Sequence, residues 1–120
     1  MMKPQQLTNW NDLDNIDNLP PFGASDLDCL REMQEVLARH GKSHVFGVNL
    51  LHKHFDLPED EIMLERQDHT ARTLQSEPVK LSELERIPHM VTGWRFDGGE
   101  IRPVGACATG PYRRHFRYKE

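Results

Sequence analysis

Val45-Phe46-Gly47-Val48-Asn49-Leu50-Leu51-His52-Lys53-His54-Phe55 is the stretch on which the reading of this chain turns. As an extended strand it sends Phe46, Val48, Leu50, His52 and His54 to one face, because successive side chains alternate sides. Two imidazoles then continue an apolar row instead of facing water. A His-x-His pair on one strand face is a common way to present two nitrogens to one metal ion or one polar ligand.

Working upstream, the spacing predicts an amphipathic helix from Asp26 to His40. Ser25 suits the N-cap, Asp26 and Asp28 suit the positive end of the dipole, and Arg39 and His40 suit the negative end. Gly41 is the residue expected just past the C-terminus. Cys29, Leu30, Met33, Val36, Leu37 and His40 fall within an arc of about 120° and read as the core face, with Leu30, Met33 and Leu37 buried. Residues 1–20 are rich in Asn and Asp and end in Leu19-Pro20-Pro21, a composition that suits a loosely held arm. Residues 1–9 carry little apolar surface and read as dispensable for folding, whereas Trp10, Leu13 and Ile16 have the character to dock.

Downstream, Leu57-Pro58-Glu59-Asp60 reads as a turn. Glu61 to Gln67 and Ala71 to Ser76 flank Asp68-His69-Thr70 as an antiparallel hairpin. Leu81 to Glu85 suits one helical turn. Val91 to Phe96 and Glu100 to Val104 bracket Asp97-Gly98-Gly99, a hairpin turn. Pro103 places the last strand at an edge or at a bulge. Trp94 and Phe96 share a strand face and read as core, or as an aromatic wall lining a cleft.

These elements define an α+β fold: one amphipathic helix packed on an antiparallel sheet of about four to five strands, with a flexible acidic N-terminal arm. Residues 1–21 form the arm, and residues 22–120 a single α+β domain with a short basic C-terminal tail. The chain of 120 residues suffices for one core, although its 37 % apolar share is low for a globular protein.

Charge and composition narrow the function classes. Net charge is −4 with histidine neutral, and residues 1–28 hold Asp12, Asp14, Asp17, Asp26 and Asp28 against Lys3 alone. Residues 111–119 are basic with interleaved aromatic rings, but no basic face elsewhere extends that footprint, so nucleic acid is not an expected partner. No apolar stretch has the length of a membrane span, and no secretory pattern opens the sequence, so the expected location is cytoplasmic. Cys29 and Cys107 are then expected as free thiols.

The leading functional reading is a small ligand-binding or protein-interaction domain. It takes an unknown small molecule or protein in a cleft on the sheet, with His52, His54 and Trp94 as contact residues and no cofactor. Open sheets of this size often complete their burial by pairing, so a homodimer fits. The rival is a metal-dependent enzyme. His52 and His54 would hold zinc or another transition metal, with His69 and Cys107 completing the ligand set, and His89 or Glu59 as further donors. No residue is assigned a catalytic role, and the sequence alone leaves open whether the chain is an enzyme.

Overall fold

The computed structural model describes residues 2–110. The basic tail therefore lies outside the described residues. Two compact units are present: residues 2–12 with 55–110, and residues 13–54.

The first unit is built on β1 (Glu61–Asp68), β2 (Thr73–Lys80), β3 (His89–Asp97) and β4 (Glu100–Ala108), with a single helical turn, α2 (Leu81–Leu84), between β2 and β3. Strands β1 and β2 pair antiparallel from Glu61 opposite Lys80 to Asp68 opposite Thr73. Their turn is closed by the Asp68 carboxylate, whose Oδ1 accepts from the backbone of Thr70 at 3.0 Å and of Ala71 at 2.9 Å. Strands β3 and β4 pair antiparallel around Gly98 and Gly99, whose φ values of 57° and 87° are the left-handed geometry that a tight hairpin needs.

The strand order is β2-β1-β4-β3, and β1 and β4 run parallel, with Met63, Leu64 and Glu65 opposite Gly105, Ala106 and Cys107. The sheet is therefore mixed, which corrects the antiparallel sheet expected from sequence. Burial explains the order. β1 and β4 supply the residues that must be covered, and both take central positions. β2, which contains Pro78, and β3, which pairs irregularly between Val91 and Trp94, take the edges.

Pro103 is correctly read as marking an irregularity: the β3–β4 register shifts between Val91 and Gly93 and shifts back between Gly93 and Trp94, beside the Trp94–Pro103 pair. Its strand is nevertheless central. The Pro103 carbonyl accepts from the Thr8 amide at 3.0 Å, so the N–H that proline lacks would also point toward residues 4–8 and away from β3. Gly93 is required here for a different reason: a Cβ at this position would stand 2.9 Å from Val104 Cγ1.

The core lies on one face of the sheet. Ile62, Leu64, Val79 and Ala106 are capped by Leu81 and Leu84 of α2 and by Leu7 from the N-terminal segment, with Met2, Ile87 and Ala108 around them. That segment is held at several points. Trp10 Nε1 donates to the Phe55 carbonyl at 2.7 Å, and the Asn11 amide both donates to and accepts from the Leu57 backbone at 2.9 Å.

The second unit contains α1 (Ala24–Arg39). It begins after Gly23, two residues earlier than the Ser25 cap implied, and the Asp26 carboxylate accepts from the Gly23 amide at 2.9 Å. At its C-terminus, the Lys42 amide reaches the Leu37 carbonyl and the Gly41 amide the Ala38 carbonyl, with Gly41 at φ 66°. This is the glycine cap expected from sequence. The expected core face is corrected. No residue of α1 is buried, Leu30, Met33 and Leu37 are only half-covered, and Cys29 is exposed. A unit of roughly forty residues has too little chain to enclose a helix face by itself.

The expected strand at residues 45–55 is also corrected. Val45 and Phe46 close a turn onto the Lys42 carbonyl, and only Lys53 makes a bridge, parallel to Asn15. Among the described residues, 47–52 make no backbone–backbone hydrogen bond. Alternation records which side chains fit a pleated surface, but a strand exists only where a neighbour accepts its backbone groups.

Candidate functional site

His52 and His54 come together without a sheet. Their rings stand edge-to-face with centroids 5.0 Å apart and planes at 83°. His52 Nδ1 lies 2.7 Å from the Leu50 carbonyl, so Nδ1 carries the donated proton and Nε2 keeps the free lone pair of the neutral ring. His52 is half-buried and His54 exposed. The other donors expected from sequence lie in the sheet unit: His69 in the β1–β2 turn, His89 opening β3, and Cys107 in β4. Among the described residues, no group of three or more His, Cys, Asp or Glu side chains could hold a metal ion.

Cys107 faces away from the core, in register with Glu65 on β1 and Met90 on β3. Its Sγ lies 4.0 Å from Glu65 Oε1 and 3.7 Å from the Ala108 carbonyl. Burial, aided by the Glu65 carboxylate, pushes the thiol above its ordinary value. It is therefore held as a protonated thiol and is a poor nucleophile. As pH rises, the unfolded chain releases this proton before the folded chain does. The thiol's contribution to stability is thus full below the ordinary thiol value and is lost above it. At pH 8, iodoacetamide is expected to modify exposed Cys29 at least about tenfold faster than Cys107, as read by peptide mass spectrometry. Equal rates would show that Cys107 lies open and unshifted.

Trp94 belongs to a larger feature. Register places Leu74, Met90, Trp94, Phe96 and Ile101 on the same face as Cys107, opposite the core. The expectation that Trp94 and Phe96 are core is corrected: Phe96 is 75 % exposed, Ile101 65 % and Trp94 41 %. Met63, Pro78 and Pro103 extend the same surface. It is a wall and not a closed cleft. The sequence signal for it was the Trp-x-Phe alternation. What the alternation does not carry is which of the two sheet faces receives α2 and the N-terminal segment.

A cleft of about 400 Å³ lies at the end of the sheet where β1 begins and β3 turns into β4, lined by Trp10, Leu57, Glu59, Glu61, Asp97 and Arg102. Arg102 Nε is 3.6 Å from Asp97 Oδ2, an ion pair beyond hydrogen-bonding distance, and Nη1 donates to the Gln5 carbonyl. The cation here is already used to fasten the N-terminal segment to β4, so the cleft reads as a structural seam.

Comparison with protein-family models, curated proteins and solved structures finds no match to this chain. No helix among the described residues is long and apolar enough to cross a membrane.

Proposed function

We propose that this chain is a protein-interaction module that binds an apolar partner through the open face of its sheet. The observation that carries the reading is the set Met90, Trp94, Phe96 and Ile101 on adjacent strands β3 and β4, all substantially exposed and all on one face, with Met63, Pro78 and Pro103 beside them; Leu74 shares the face but lies apart, beyond Gln67, Ser76 and Glu65. The β3–β4 group adjoins across neighbouring strands, and an exposed apolar surface beyond a few hundred Å² is uncommon on monomers and marks a place where something binds. The face offers few charged groups, which disfavours nucleic acid and membrane headgroups as occupants and fits a cytoplasmic protein partner. A hydrophobic dye such as bis-ANS, added to dilute folded protein, should bind saturably and quench Trp94 by energy transfer. Phe96→Glu with Ile101→Glu should abolish that binding while leaving the far-ultraviolet circular dichroism unchanged. Dye binding that survives both substitutions would sink the reading.

The second reading, a metal-dependent enzyme, has the His52–His54 ring approach in its favour. Its expected result is one zinc ion retained per chain after dialysis, lost in His52→Ala. Protein that retains no zinc, iron or copper under the same conditions removes it.

A further inference from the structure

We propose that the occupant of the open face is a second copy of this chain, the two sheets stacking face to face; this rests on the interaction-module reading. The first argument is area. Strands of eight or nine residues at about 3.3 Å per residue, four of them about 4.8 Å apart, give a face of roughly 19 by 27 Å, or about 500 Å² in projection. Side chains standing above the pleat raise the accessible area beyond that projection, toward the ~800 Å² per partner of a standard interface.

The second argument is charge. The charged side chains that register places on this face are Glu61, Glu65 and Lys80, and Glu61 stands directly opposite Lys80. Glu65 lies beside the Cys107 thiol. Two such faces meet without a field of like charge between them, although the whole chain carries −4. A partner recognised by charge would find little to grip on the β3–β4 half of the face, where Met90, Trp94, Phe96, Ile101 and Pro103 meet, whereas the same apolar half of a second copy matches it.

The third is shape. Twisted sheets stack at about 10 Å with their strands inclined by about 30°, so aromatic side chains of one face enter the spaces of the other. Gly105, in register between Gly93 and Met63, leaves such a space at the centre. In a two-fold arrangement, Trp94 and Phe96 of each copy approach the shallow Gly105–Cys107 region of the other.

Sedimentation velocity across about 1–200 µM is expected to show a monomer–dimer equilibrium. Phe96→Glu with Ile101→Glu should weaken it by at least a hundredfold, and the milder Trp94→Ala or Ile101→Ser should weaken it by about tenfold with circular dichroism unchanged. Arg31→Ala on α1 should leave it unaltered. In the dimeric range, bis-ANS should compete with association. A monomer at every concentration that still binds the dye at this face overturns the self-association and leaves the interaction module standing. A monomer that does not bind the dye overturns both. A dimer indifferent to the face variants places self-association elsewhere and also overturns the inference.

Discussion

Leu64→Ala is expected to cost about 3–5 kcal/mol of folding stability, near the upper end for a buried leucine. Leu64 is 0 % exposed, in the middle of a central strand. Its register neighbours are Glu77 on β2 and Ala106 on β4. The alanine is too small to move into the vacated space, and ladder hydrogen bonds on both sides of β1 hold the backbone in place. Lost transfer energy is therefore joined by a cavity term, because a packed interior relaxes only partly. Leu30→Ala in α1 is the contrast. That side chain is half-covered, so area alone assigns it about 1 kcal/mol. Glu32, exposed on the same helix, should show almost no effect when replaced by alanine. Urea unfolding of the three variants checks the order, and a loss at Leu30 equal to that at Leu64 would mean that α1 is core after all.

That contrast also shows what the sequence can and cannot deliver. The helix was legible because its limits are local: an acid near its start and Gly41 at its end satisfy backbone groups within a few residues. The β3–β4 hairpin was legible for the same reason, since Gly98 and Gly99 are needed for a left-handed turn. Whether the apolar stripe of α1 is covered, and where β4 pairs, are decided by contacts distant in sequence. Periodicity assigned the stripe but not its depth. Ile62, Leu64 and Ala106 together draw β1 and β4 into the centre, and no single segment records that demand.

The candidate sites divide along the same line. His52 and His54 were legible as a pair from their spacing, yet they meet in a local segment where the His52 ring reaches the Leu50 carbonyl and Lys53 bridges to Asn15, not on a sheet face. Trp94 and Phe96 were legible as neighbours on one side of a strand. Their exposure depends on Leu7 and α2 occupying the opposite side, which is a tertiary outcome.

Removing residues 1–9 is expected to destabilise the sheet unit by at least as much as Leu7→Ala, for which about 2–4 kcal/mol is expected. The polar composition of this stretch made it look dispensable. Leu7, however, is 7 % exposed and belongs to the core cluster. Deletion also uncovers its neighbours on the sheet and removes the Thr8 amide bonded to the Pro103 carbonyl. Against this stands the relief of ordering entropy, on the order of 1–2 kcal/mol for each backbone residue no longer fixed. That relief is smaller at Pro4, whose ring restricts the unfolded chain as well. The segment is nevertheless docked in the folded protein, with Leu7 buried and the Thr8 amide bonded, so its contacts together outweigh this ordering cost, and their loss should dominate. Thr8→Val separates the terms, since it keeps the backbone amide and the volume while removing the hydroxyl bond of 3.3 Å to the Arg102 carbonyl, and about 1 kcal/mol is expected. If the deletion cost no more than Thr8→Val, Leu7 would have to be a passenger on the sheet, and the core would close without it.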